Sequence, residues 1–131
     1  MSRIVFSVTS PHDYATTVER VTEALKTEGF GVLTTIDVAA TLKVKLDVER
    51  KPYVILGACN PHYAHQALTA VPDIGALLPC NVVVREEDDG RVSVVFMDPE
   101  PVLGLIADPV LEKVGHEVAE KLQRVAETVG K

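Results

Sequence analysis

Residues 53–81, YVILGACNPHYAHQALTAVPDIGALLPCN, decide how the chain folds. Tyr53 to Ala58 is an unbroken apolar run, with Val54, Leu56 and Ala58 on one pleat face and Tyr53, Ile55 and Gly57 on the other. Neither face suits water, so the run reads as a strand buried on both sides. Past Cys59, Asn60-Pro61 reads as a helix start: the Asn side chain can accept from an orphan N–H of the first turn, and Pro61 brings a preset φ where no donor is needed. This helix carries His62, Tyr63, Ala64, His65, Ala67 and Leu68 and is expected to stop near Val71-Pro72. Asp73 can then cap one further turn, Ile74 to Leu78, before Pro79-Cys80-Asn81 opens a strand. Cys-Asn thus occurs once where a strand enters a helix and once where a helical segment enters a strand. If those strands are antiparallel neighbours, Cys59 and Cys80 meet at one edge of the sheet.

Working outward, Arg3 to Thr9 sets Ile4, Phe6 and Val8 against Val5, Ser7 and Thr9, the period-two pattern of a half-buried strand. Ser10-Pro11 repeats the cap-plus-proline device, with Asp13 placed as in a capping box. The helix it opens runs to about Glu28 with Tyr14, Val18, Val21 and Leu25 on one stripe, and Gly29 ends it. Phe30 to Ile36 reads as a strand, and Asp37 as the cap of a short helix through Leu46 with Leu42 and Leu46 inward. The charged connection Lys43 to Lys51 reads as a solvated face and loop.

Downstream, Asn81 to Glu86 and Arg91 to Met97 are strands joined by Glu87-Asp88-Asp89-Gly90, a hairpin signal because Gly tolerates positive φ. Asp98-Pro99-Glu100-Pro101 breaks the pattern, and a short apolar turn, Val102 to Ala107, follows. Asp108-Pro109 opens a last helix with Leu111, Val114, Val118, Leu122, Val125 and Val129 at three- and four-residue spacing. The order β-α-β-α-β-α-β-β-α, without Gly-rich phosphate loops, specifies a single α+β domain over residues 1–131. Its expected sheet is mixed or largely antiparallel, of about five strands, with helices mainly on one face.

With 131 residues, 47% of them hydrophobic, the chain can bury a core without staples. Its net charge of -6, from 19 acids against 13 bases, argues against nucleic acid, because phosphate binding needs clustered Lys and Arg. MSRIVFSVTS lacks the apolar length of a signal peptide, and no run approaches a membrane span, so the expected compartment is the cytoplasm. There two cysteines are more often thiols than a disulfide.

The phrases GFGV, ILGACNP, LLPCNVVV and MDP stand in this order from Gly29 to Pro99, and with them the chain resembles the domain-of-unknown-function family 302 from about Val8 to the last helix. The residues carrying the resemblance at the centre are Gly57, Cys59, Asn60, Pro61, Leu78, Pro79, Cys80, Asn81 and Asp98. The resemblance implies a small α+β domain, found mostly in prokaryotes and able to form homodimers. It brings no activity, substrate or cofactor, so no catalytic residue is carried over.

Four chemistries are weighed at the centre. Cys59, Cys80, His62 and His65 count as four ligands for a soft metal such as Zn or Cu(I), although their spacing is not that of a zinc ribbon and the plain reading is buried thiols with exposed histidines. Cys59 beside a helix N-terminus has the setting of a lowered thiol pKa, so a thiol-dependent redox protein or enzyme using Cys59 or Cys80 is the alternative. No CxxC, nucleophile elbow or oriented base accompanies it, which favours binding over catalysis. A small-molecule ligand pocket would be lined by Cys59, Asn60, Cys80 and Asn81, with Asp98 as its charged member; the plain account makes Asn60 and Asp98 caps. Finally, a five-stranded sheet covered on one face leaves the other open, and a homodimer would bury that face or an edge.

Overall fold

Tyr53–Cys59 forms β3, an inner strand of a five-stranded sheet ordered β1-β5-β4-β3-β2. In the computed structural model, which describes residues 3–131, β1 is Val5–Ser10, β2 Gly31–Asp37, β4 Cys80–Glu86 and β5 Val92–Met97. All neighbouring pairs are antiparallel. The helices are α1 (Tyr14–Thr27), α2 (Val38–Leu46), α3 (Pro61–Ala70), α4 (Pro99–Leu103) and α5 (Pro109–Val129), with a 3₁₀ turn at Pro72–Leu77. The α+β class and the element order expected from the sequence hold, α4 being an added short helix.

One face of the sheet carries the core. Val54, Leu56 and Ala58 of β3, Cys80, Val82 and Val84 of β4, and Val92, Val94 and Phe96 of β5 are all buried against the apolar stripes of α1 and α5. On α5, Leu111, Val114, Val118, Leu122, Val125 and Val129 are buried at the spacing the sequence predicts. Each such side chain taken from water stabilises the fold by roughly 1.5–3 kcal/mol, so pairing these two alternations fixes the register. β3 is not buried on both faces as its composition suggests: Tyr53 and Ile55 are only half-buried, because the helical layer lies on the other side.

Several local expectations change. Asp13, not Ser10, caps α1, its Oδ1 accepting from the Thr16 N–H at 2.8 Å. Ser10 is buried instead, its Oγ 2.7 Å from Thr17 Oγ1 and accepting from the His12 N–H at 3.1 Å, which ties the end of β1 to α1. Asp37 caps α2 as expected, accepting from the Ala40 N–H at 2.9 Å. Yet α2 buries nothing: Leu46 is 66% exposed and Leu42 half-buried, because α2 packs on β2 and β3 at the margin of the sheet, outside the layer of α1, α3 and α5. Asp73 lies within the first turn of the 3₁₀ segment, whose N-cap is Val71, so it is not the cap. Among the described residues no helix is long and apolar enough to cross a membrane.

Candidate functional site

β3 and β4 pair with Ala58 opposite Cys80, so Cys59 at the end of one strand and Cys80 at the start of the other are neighbours at one rim of the sheet. Both line one cavity of about 30 Å³ between that rim, α3, α4 and α5. The wall is almost wholly apolar, built from Phe30, Leu78, Pro79, Leu103, Val114 and Val118 besides residues of α3. A volume of this size admits a water-sized guest, but water needs two or more polar partners and this wall offers few. Cys80, 7% exposed, forms part of the inner wall, and half-buried Cys59 and Asn60 stand nearer solvent.

Why the chain folds this way here is visible at Gly57 and Asn60. A Cβ on Gly57 would collide with Thr34 Oγ1 and come within 2.9 Å of Pro79 Cγ, so the absent side chain lets the Leu78–Pro79 segment close over β3. Asn60 occupies the N-cap position of α3 but makes no side-chain cap. Its amide Nδ2 donates to the Glu28 carbonyl at 3.3 Å, joining the start of α3 to the end of α1 beside Gly29, whose φ of +87° marks the turn. The capping role expected of Asn60 is therefore replaced by a cross-chain tie.

The electrostatics oppose an activated thiol. Burial pushes the Cys59 thiol up rather than down. Burial, and then the neighbouring Cys59 charge, push Cys80 from 9.0 to about 12. The lowered pKa expected at Cys59 from the helix N-terminus is thus corrected: losing water costs the thiolate more than the first turn of α3 returns.

The other residues singled out in the sequence separate. His62 and His65 stand exposed on α3, and among the described residues no group of three or more His, Cys, Asp or Glu could hold a metal ion. The set Cys59, Cys80, His62 and His65 is therefore not assembled, because the cysteines line the cavity while the imidazoles stand exposed to solvent. Asn81 is exposed and does not line the cavity, since pleat alternation turns it away from Cys80 toward the bare face, opposite Gly57. Asp98 does not line it either: its Oδ1 caps α4, accepting from the Glu100 N–H at 3.1 Å. α4 itself, where the sequence showed only a break, supplies Pro99 and Leu103 to the wall, and the Asp98-Pro99 cap-plus-proline pair was the signal for it. Tyr63 also lines the cavity, and its hydroxyl donates to Glu117 Oε1 at 3.2 Å, fixing α3 to α5.

Comparison with known proteins agrees with this architecture. The model of the family described as "Domain of unknown function DUF302" matches residues 6–129. The crystal structure of an uncharacterized conserved protein of that family from Bacillus stearothermophilus superposes with a TM-score of 0.90 at 30% identity, covering 98% of this chain and 99% of that one. An uncharacterized protein of Aquifex aeolicus (strain VF5) is 36% identical over 53 residues; the match spans 40% of this chain and 37% of that protein's length. With the family model matching residues 6–129 of 131, the chain belongs to the DUF302 family.

Proposed function

We propose that the protein is a homodimeric binding module, not an enzyme, and that the Cys59–Cys80 cavity takes a small apolar or sulfur-bearing group of its ligand. The observation that carries this reading is that two sulfurs line one apolar cavity while burial keeps both thiols protonated. Protonated, buried sulfur is a soft, polarizable wall for a hydrocarbon or thioether. It is a poor nucleophile and, without the imidazoles, a poor metal site. Asn60, with its carbonyl oxygen free of any cap, is the polar group at hand to orient a guest.

Titration with dimethyl sulfide and short alkyl alcohols, followed by backbone amide shifts, tests the reading. Shifts confined to Cys59, Ala64, Cys80 and Leu103, together with slower alkylation of Cys59 in the presence of the probe, are the expected result. An Ala64→Leu variant, which fills the wall, should abolish them. Stoichiometric retention of Zn or Cu(I) that a Cys59→Ser change removes would replace the reading with a metal site. Rapid alkylation at neutral pH would replace it with thiol chemistry.

A further inference from the structure

His116 of α5 stands between two carboxylates on different helices. Its Nδ1 lies 2.9 Å from Glu100 Oε2 on α4, and its Nε2 lies 3.4 Å from Glu120 Oε1 one turn further along α5. Ionised carboxylates only accept, and a neutral imidazole carries a single N–H. The neutral ring therefore serves one of them and turns a lone pair toward the other; the imidazolium serves both. Glu117 adds a third negative charge nearby and itself accepts from the Tyr63 hydroxyl of α3. Glu112 and Lys113, one turn earlier on α5, oppose each other in sign, and Asp98 at the start of α4 is engaged in its own cap.

α4 is the wall of the Cys59–Cys80 cavity least able to hold itself in place. It has five residues, of which Pro99 and Pro101 donate no backbone hydrogen bond, and the Val102 N–H reaches the Asp98 carbonyl at 3.4 Å. The other helical walls, α3 and α5, run to 10 and 21 residues. Among the described residues the His116–Glu100 contact is the one side-chain hydrogen bond that joins α4 to α5. It stands next to Gly115, whose missing side chain lets Pro99 and Glu100 come close. At about 30 Å³ the cavity admits a water-sized guest, so a larger group enters as a wall gives way.

We propose that His116 is a pH-sensitive latch on this wall: as imidazolium it clamps α4 to α5 and keeps the cavity closed, and on releasing its proton to solvent it frees α4 and opens the cavity to exchange. The inference rests on the guest-binding reading of the cavity and supplies its regulation. Glu100, by its hydrogen bond and then its charge, and Glu120 raise the folded-state pKa of His116. The clamp is therefore complete below the ordinary imidazole value and fades as pH rises through the raised one. His116 and Glu100 are each more than half exposed, so solvent screening limits the effect to about two- to fivefold.

Native-state hydrogen exchange at the Gly104 N–H, which donates to the Glu100 carbonyl at 3.0 Å, follows the opening of α4. Divided by the intrinsic exchange rate, its protection should be about two- to fivefold greater at about pH 5.5 than at about pH 8.5. The bound lifetime of dimethyl sulfide, from NMR line shapes, should fall by the same factor over that interval. His116→Arg carries a fixed charge and should keep the acid values at both pH values; Glu100→Gln should keep the alkaline ones. Equal protection at both pH values, or a step that His116→Arg retains, overturns the latch. A step in protection with a probe lifetime blind to pH overturns its control of the cavity. A probe that binds at neither pH overturns the guest reading alone, and the Gly104 amide still decides the latch.

Discussion

Replacing Gly115 by Ala on α5 sets two effects of known sign against each other at the wall of the cavity. In a helix interior Ala is favoured over Gly by about 1 kcal/mol. At this position, however, the new Cβ would lie 2.9 Å from the Pro99 carbonyl oxygen, 3.3 Å from Glu100 Cα and 3.5 Å from Leu103 Cβ. Two of these neighbours are backbone, which cannot rotate away, so α4 must move as a body. Overpacking of that kind costs about 1–3 kcal/mol. The net expectation is a loss of about 1 kcal/mol, read as a lower midpoint in urea with an unchanged slope. A second consequence separates this reasoning from a general loss of stability. Pro99 and Leu103, the residues displaced, are part of the cavity wall, so Cys80 should be alkylated several-fold faster under native conditions than in the unmodified chain. A variant that is more stable by about 1 kcal/mol, with Cys80 no more reactive, would refute the close approach of α4 and α5 and leave only the helix-propensity term.

Two further predictions concern protons. Because burial raises the folded-state pKa of Cys80 from 9.0 to about 12, the unfolded chain releases this proton first. The stabilisation is therefore complete below 9.0 and lost as pH rises toward about 12; an alkaline denaturation series should show a slope that Cys80→Ala flattens. His116 is raised above its ordinary value by its hydrogen bond to Glu100, Nδ1 to Oε2 at 2.9 Å, and then by the charges of Glu100 and Glu120. Its contribution is present at pH below the ordinary imidazole value and fades as pH rises through the raised one; ring-proton NMR should show Glu100→Gln lowering the His116 midpoint.

The fold was legible wherever one physical rule acts alone. Alternation in β4 and β5 and the stripe on α5 survive intact because each meets a single buried surface. β3 misled because apolar composition reports that water is unwelcome, not what replaces it: Ile55 and Tyr53 are half-buried on the face away from the core layer, and no local pattern tells that apart from burial on both faces. The helix after Asp37 misled in the opposite sense. Its Leu42 and Leu46 have helical spacing, but position at the margin of the sheet, which no local pattern encodes, leaves them uncovered. At the site, pairing of Cys59 with Cys80 followed from strand adjacency and was readable. The exclusion of Asn81 and Asp98 depended on which way one pleat and one cap turned, and the part played by α4 on a five-residue helix that contains two prolines.

The same burial that brings the sulfurs together decides what they can do. A nucleophilic or redox-sensing cysteine acts as its thiolate, and at neutral pH a thiol raised to about 12 is ionised in about one molecule in 10⁵. Restoring a catalytic thiolate at Cys80 would take about 7 kcal/mol of local stabilisation, more than one helix N-terminus or one paired cation supplies. Among the described residues no basic side chain lines the cavity that could contribute it; Lys121 lies 5.9 Å over the Tyr63 ring, and His62 and His65 are exposed to solvent. Evolution of a catalytic site here would have to bring in both a base and water, each of which the apolar wall excludes. The proposed function therefore assigns this cavity a guest that needs neither, held by dispersion against sulfur and hydrocarbon.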